Sequence, residues 1–376
     1  MIHLPLELKY RPKKLSEVIG QPVIVQAFTN AFKAKNLHHA YILAGPYGTG
    51  KTTVSRILAA MENCDKKPTL NPCGKCANCT AIFEGKSFDV KELNAASNRG
   101  VDDIRSIQKT LYQRPIQCRM KCIFIDEAHS LTEIAAEAAL KMIEEPPSFV
   151  RFILATTAPH RLISTIHSRC IMWKFNKVGW TEMYEHLKNI CKKEKIEYED
   201  KSLQIAAKAA KGSVRDSLQN LQTIMNYLGK EKLTAIAAKE VLGVVEQKFY
   251  FELINAILDN NVSKCYQTVN EIVREGKESG VIVEDLYRHF NGLMTAKLSQ
   301  DNLSLSGFGE EEIKRYIHQA GRLKGNLILK MMDLMSYVSR DLKLNLDPQY
   351  LLNKFFIQCL VALKEEEEKK LRRSSN

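Results

Sequence analysis

Nowhere in the 376 residues does an apolar run reach the length of about 18 that would cross a bilayer as a helix. The opening stretch, Met1 to Tyr10, lacks the basic-then-apolar layout of a secretion signal, so the expectation is a cytoplasmic protein with no membrane partner. No internal repeat and no low-complexity linker is visible, which leaves no sign of a repeat array. Tryptophan is scarce: Trp173 and Trp180 flank an expected domain boundary and are expected in the core. Carboxylates are also short, 43 Asp and Glu against 55 Lys and Arg, for a net charge of +12. Half of that excess lies in the first sixty residues, where Lys9, Arg11, Lys13, Lys14, Lys33, Lys35, Lys51 and Arg56 face only Glu7 and Glu17. Such a bias suits a polyanion, either nucleotide phosphates or a DNA backbone, or it serves solubility alone.

What is present describes a soluble, folded chain, with 45% hydrophobic and 26% charged residues. Its length suggests two or three domains. Cysteine is plentiful, at ten. In a reducing compartment that argues against a disulfide framework. Four of the ten cluster between Cys64 and Cys79, which points to metal; the other six are scattered, with Cys118 and Cys122 close together.

Up to Val178 short apolar runs alternate with amphipathic stretches, the pattern of a parallel α/β sheet. A helix is predicted from about Val23 to Lys35, with Ile24, Phe28, Ala31 and Phe32 on one face. Strands are predicted at Ala40–Ala44, Val90–Leu93, Lys121–Ile125 and Arg151–Ala155, and a helix begins at Lys51. Beyond Val178 the strand signals stop. Residues 180–242 read as a few helices, one ending at Gly212 and the next capped by Ser213, with Leu218, Leu221, Met225 and Leu228 at helical spacing. Residues 246–364 read as all-helical, with loops near Asn260, Gly280 and 304–309, and the charged end from Lys364 reads as a solvated or frayed helix end.

Gly45-Pro-Tyr-Gly-Thr-Gly-Lys51-Thr52 fits G-x-x-x-x-G-K-[ST] between a strand and a helix. Glycines let backbone N–H groups curl round phosphates, Lys51 neutralises β- and γ-oxygens, and the Thr52 hydroxyl can hold Mg²⁺. Gly45, Pro46, Gly48, Thr49, Gly50, Lys51, Thr52 and Thr53 are therefore the candidate phosphate-binding set. Ile123-Phe-Ile-Asp126-Glu127 is an apolar strand ending in two carboxylates; alone it could be a helix cap, but beside the phosphate loop Asp126 takes the metal role and Glu127 the role of base. The strand from Arg151 delivers Thr156 and Thr157, either γ-phosphate contacts or turn residues. Arg169 and Arg215 carry the planar fork suited to phosphate oxygens. His38, His39 and His129 have no motif partners and read as packing or surface residues. Cys64-x8-Cys73-x2-Cys76-x2-Cys79 can offer four thiolates to one tetrahedral ion, zinc before an iron–sulfur cluster, in a structural role.

Together these pieces resemble the gamma/tau family of bacterial DNA polymerase III clamp-loader subunits, which are AAA+ ATPases. The matching stretches are Lys9-Tyr-Arg-Pro12, Val18-Ile-Gly-Gln21, His38-His-Ala-Tyr41, the phosphate loop and the four-cysteine insert. Further on come Leu93-Asn-Ala-Ala-Ser97, Ile125-Asp-Glu127, Ala139-Leu-Lys141, Glu144-Glu-Pro-Pro147, Leu154-Ala-Thr-Thr157, Ser168-Arg-Cys170 and Gly212-Ser-Val-Arg-Asp216. The insert separates the chain from the small subunits of replication factor C, and the intact phosphate loop from delta-prime. Ala128-His-Ser130 departs from the usual sequence after the acidic pair.

The resemblance implies an α/β AAA+ P-loop domain with a parallel sheet over 1–178, carrying a zinc module at 64–79. A helical lid over 179–243 and an all-α oligomerisation collar over 244–376 would follow. It implies ATP, Mg²⁺ and Zn²⁺ as cofactors and an adenine pocket near Tyr10, Arg11, Val18 and Ile19. Thr157 would be sensor 1, Arg215 sensor 2, and Arg169 an arginine finger reaching the next subunit's ATP. Arg105, Lys141 and Thr165 are expected to meet DNA phosphates, which position a duplex without reading its sequence. The implied partners are delta, delta-prime, further copies of the chain in a pentamer, the beta sliding clamp and primed double-stranded DNA. The long tail of tau, which binds polymerase and helicase, is not expected here. The expected activity is ATP-driven clamp loading, without polymerase activity of its own. The alternatives are a scaffold subunit with little turnover and another AAA+ DNA machine such as a branch-migration helicase. The cysteine insert and the lack of an aromatic pore loop speak against the second.

Overall fold

In the computed structural model, described over residues 4–97, 101–243, 247–274, 279–299, 310–342 and 347–374, the chain divides into two units, Met1–Leu242 and Gly243–Asn376. The first is built on five parallel strands: β1 (Ala40–Ala44), β2 (Val90–Asn94), β3 (Lys121–Asp126), β4 (Val150–Thr156) and β5 (Ile171–Lys174). They lie in the order β2-β3-β4-β1-β5. Around them are α1 (Leu6–Lys9), α2 (Pro22–Lys33), α3 (Lys51–Asn63), α4 (Ala77–Glu84), α5 (Val101–Leu111), α6 (Glu133–Glu144) and α7 (Ser164–His167).

β1, β3 and β4 are buried along almost their whole length. A strand covered on both faces reads as one continuous apolar run, which is why these three are visible in the sequence. Alternate side chains feed two cores. Ile42, Ile123, Ile125, Phe152 and Leu154 cluster with Ile104 and Leu111 of α5, Ala139 and Met142 of α6, and Ile166 of α7. Tyr41, Leu43, Phe124 and Ile153 cluster with Phe28 of α2, Ile57 and Leu58 of α3, and Ile82 of α4. β1 lies between β4 and β5, whereas the next strand along the chain, β2, is at the far edge. That reversal opens a crevice beyond the carboxyl ends of the strands.

Residues 180–241 form α8 (Trp180–Glu194), α9 (Asp200–Ala209), α10 (Val214–Leu228) and α11 (Ala235–Val241) around their own core. Leu6 of α1 belongs to that core, and the Tyr10 hydroxyl and Lys9 ammonium both reach Glu194 of α8. The Ser213 hydroxyl caps α10 by accepting the Asp216 N–H at 3.2 Å. The two tryptophans are half-buried at the rims of separate cores.

The second unit is all-helical: α12 (Gln247–Leu258), α13 (Val262–Arg274), α14 (Ser279–Leu298), α15 (Glu310–Arg322), α16 (Gly325–Leu342) and α17 (Pro348–Ser374) share one core. Asn260 makes the expected turn, at φ +54. Near Gly280 α13 gives way to α14, between Arg274 and Ser279, and residues 275–278 and the loop expected at 304–309 fall outside the described residues. Within this core Gln319 joins His289 Nε2 at 2.9 Å to the Phe251 carbonyl and Asn255, while burial pushes His289 down to about 4 and keeps it neutral. No helix among the described residues is long and apolar enough to cross a membrane.

Candidate functional site

Parallel register brings four strand ends to one rim. Ala44 of β1 pairs with Thr156 of β4, Ile125 of β3 with Leu154 of β4, and Asn94 of β2 with Asp126 of β3. From that rim the chain turns into the 45–50 loop, anchored where the Gly45 N–H donates to the Thr156 carbonyl at 3.0 Å. The loop leads straight into α3, so the helix N-terminus points its free N–H groups and positive dipole end at the crevice.

A cleft of about 520 Å³ lies there, a size suited to a small-molecule ligand. Its walls include Tyr10, Arg11, Val18, Ile19, Gly48, Thr49, Gly50, Lys51, Thr52, Thr53, Asp126, Glu127 and Arg215. Gly45 and Pro46 form the base of the loop, and their carbonyls accept the Lys51 ammonium at 2.7 and 2.8 Å. Burial lowers the Lys51 pKa, while Glu127 and Asp126 act in the opposite direction. The Arg11 guanidinium is likewise pushed down by burial and then by the charges of Arg56 and Arg215. Arg11, Lys51 and Arg215 thus bring three positive charges to the cleft that Asp126 and Glu127 also line.

The metal and base candidates are in place. The Thr52 hydroxyl donates to Asp126 Oδ2 at 3.3 Å, and Asp126 Oδ1 accepts the Glu127 N–H at 2.9 Å. Glu127 is held at φ +51, left-handed backbone that costs a residue with a side chain about 1 kcal/mol or more. Its Oε2 accepts the Thr157 hydroxyl at 3.2 Å. One feature escaped the sequence: His129 Nδ1 is 3.0 Å from Thr156 Oγ1 and 3.4 Å from Glu127 Oε2. Two positions after the acidic pair, the 3₁₀ turn Ala128–Ser130 folds this ring back onto the site; no spacing rule flags such a contact.

Arg215, in the first turn of α10, enters the same cleft because the Val214 and Arg215 N–H groups meet the Gly48 carbonyl at 3.0 and 3.4 Å. His186 of α8 also lines the wall and was not foreseen. Arg169 is not among the lining residues. It sits on the surface beyond α7, 2.7 Å from Glu144 and bonded to the Thr165 carbonyl and Ser168 hydroxyl at 3.0 and 3.1 Å. Arg105, Lys141 and Thr165 are exposed on α5, α6 and α7, three helices that pack on one face of the sheet; Arg105 lies 3.6 Å from Asp102.

Away from the cleft, the Sγ atoms of Cys64, Cys73, Cys76 and Cys79 all lie within 4.8 Å of one another. A tetrahedral ion with metal–sulfur bonds of about 2.3 Å sets its sulfurs about 3.8 Å apart, so the donor set fits. Backbone N–H groups of Cys76, Cys79 and Asp65 point at the sulfurs of Cys73 and Cys76 over 3.3 to 3.5 Å, while burial on balance pushes the Cys76 and Cys79 thiols up. Arg119 fixes the start of the insert by donating to the Cys64 and Asp65 carbonyls at 2.7 and 3.1 Å.

Comparison with known proteins places three families along the chain. Residues 20–179 match the family described as DNA polymerase III, delta subunit, and residues 182–221 the DNA polymerase III clamp loader subunit, ATPase lid domain. Residues 233–373 match DNA polymerase III subunits gamma and tau domain III. The chain is 36% identical to the DNA polymerase III subunit gamma of Buchnera aphidicola (subsp. Schizaphis graminum), over 78% of this chain and 80% of that protein. It is 34% identical to subunit tau of Bacillus subtilis, over 89% of this chain but only 59% of the longer relative. Likeness to solved structures is weaker: the RuvB Holliday junction branch migration motor of Thermotoga maritima aligns at a TM-score of 0.48 and 21% identity, covering 66% of this chain and 80% of that one.

Proposed function

Since the chain belongs to the gamma and tau subunit family of bacterial DNA polymerase III, we propose that it is an ATP-hydrolysing motor subunit of a clamp loader, which places a sliding clamp on primed double-stranded DNA. The observation that carries this reading is the convergence of Lys51, Thr52, Asp126, Glu127 and Arg215 on a single cleft, with Thr52 and Asp126 3.3 Å apart.

In this reading the N–H groups of Gly48 to Thr53 cradle the phosphates. Lys51 leaves the Gly45 and Pro46 carbonyls to meet β- and γ-oxygens, and the adenine lies toward Tyr10, Arg11, Val18 and Ile19. Mg²⁺, held by Thr52 and Asp126, neutralises phosphate charge when bound. Glu127 accepts a proton from the attacking water, Thr157 orients Glu127 or the water as sensor 1, and Arg215 supplies sensor-2 charge from the lid. Arg169 serves the ATP of an adjacent copy as an arginine finger. Zn²⁺ held by the four cysteines has a structural role.

The division of labour follows the family: an ATPase domain over 1–178, a lid over 179–243 and an oligomerisation collar over 244–376. The partners are delta, delta-prime and further copies of the chain in a pentamer, with the beta clamp and DNA as their cargo. Arg105, Lys141 and Thr165 face the duplex backbone, and the assembly works in the cytoplasm.

Lys51→Ala tests the reading. The variant should lose ATP affinity by at least about tenfold in a fluorescent-nucleotide titration, and complexes built with it should stop loading clamps. Clamp loading that survives would favour the scaffold reading instead.

A further inference from the structure

The base candidate Glu127 does not stand free in the cleft. Its Oε2 takes the Thr157 hydroxyl at 3.2 Å and faces His129 Nδ1 at 3.4 Å. The same ring nitrogen is 3.0 Å from Thr156 Oγ1, which in turn accepts the Ala158 N–H at 3.1 Å. Thr156 is fully buried at the end of β4, so the ring is held against the buried end of that strand. A carboxylate oxygen at this distance favours the tautomer with its proton on Nδ1, where the N–H is shared between Glu127 and Thr156. Among the described residues Glu127 Oε1 accepts no hydrogen bond, while Glu127 lines the cleft.

We propose that His129 is a positioning residue for the Glu127 carboxylate: its Nδ1–H and the Thr157 hydroxyl hold one oxygen against the end of β4, and the other oxygen is left to take a proton from water. The inference rests on the hydrolytic reading above. Three short-range features make it more than incidental packing. Glu127 has left-handed backbone, a conformation that persists where the surrounding structure enforces it. The 3₁₀ turn that brings His129 back begins at the very next residue. The Thr157 hydroxyl and His129 Nδ1 both meet the same carboxylate oxygen, Oε2, while Thr156 at the end of β4 holds the ring. A base fixed in this way is set for in-line attack before nucleotide arrives, and loss of the tether shows in turnover rather than in binding.

The test uses the assembled clamp-loader complex with clamp and primed DNA. His129→Ala should lower kcat for ATP by about tenfold or more, with the KM for ATP and fluorescent-nucleotide affinity within about twofold of the parent. His129→Asn places an amide N–H near the position of Nδ1 and should restore kcat to within about threefold. The proposal is overturned if His129→Ala keeps full turnover, if His129→Asn is as slow as His129→Ala, or if nucleotide affinity falls in step with kcat. Glu127→Gln run in parallel separates the two readings. If it leaves turnover intact, the hydrolytic reading itself fails; if it abolishes turnover while His129→Ala does not matter, only the role of His129 falls.

Discussion

Gly48 shows how much a single residue can carry. Its φ of +68 lies in left-handed space, and a Cβ built there would stand 1.8 Å from the Ser213 hydroxyl. Its carbonyl meanwhile accepts the N–H groups of Val214 and Arg215. The phosphate loop and the lid helix therefore touch through backbone, at a glycine that the loop pattern leaves as an unrestricted position. Gly48→Ala should cost about 1 kcal/mol for left-handed alanine and about another 1 kcal/mol as Ser213 abandons its cap on α10. Thermal unfolding should move down accordingly, and ATP affinity should fall by about tenfold or more as Arg215 is pushed from the cleft. Unchanged affinity in a nucleotide titration would show that loop and lid do not depend on this contact.

At the scale of elements, legibility followed burial only in part, since the largely exposed edge strand β2 is also readable at Val90–Leu93. β1, β3 and β4 are covered on both faces and announce themselves as apolar runs, whereas β5 is an edge strand with three of its four residues exposed, and its Ile171-Met-Trp-Lys174 sequence carries no such signal. The phosphate loop, the acidic pair and the four cysteines were readable because their chemistry demands fixed residue types at short spacing. Leu6 in the lid core and His129 beside Glu127 were not, since each depends on where the folded backbone returns. The cysteine insert adds an expectation of its own. Cys64 is fixed by Arg119 and by the end of α3, where Asn63 bonds the backbone of Arg119 and Met120 at 2.8 to 3.0 Å. Cys73 and Cys76, by contrast, sit in a turn supported chiefly by N–H to sulfur contacts and the start of α4. Chelation should therefore release one zinc per chain and lower the unfolding temperature by several degrees, with nucleotide affinity largely kept, because Asp126 ends β3 and Lys51, at the far end of α3 from the insert, is tied to the Gly45 and Pro46 carbonyls. Metal analysis that finds iron, or well under one ion per chain, would contradict this.

For the whole molecule the decisive group is one that its own cleft does not use. Arg169 is tied to Glu144 at 2.7 Å, yet both side chains are more than a third exposed, at 37% and 38%. An ion pair so open to water is worth only about 0.2–1 kcal/mol, so in the proposed assembly the guanidinium would leave it for a phosphate on a neighbouring copy at little cost. The backbone beneath it is firm: Ile166 is fully buried and the Arg169 N–H donates to its carbonyl at 3.2 Å. Arg169→Ala should keep ATP binding within about twofold while DNA-stimulated turnover of the assembled complex drops by about a thousandfold. Glu144→Gln, which frees the guanidinium, should leave turnover at or above the parent rate. If Arg169→Ala complexes hydrolyse ATP as fast as the parent when clamp and primed DNA are present, the neighbour's phosphates are served by some other group.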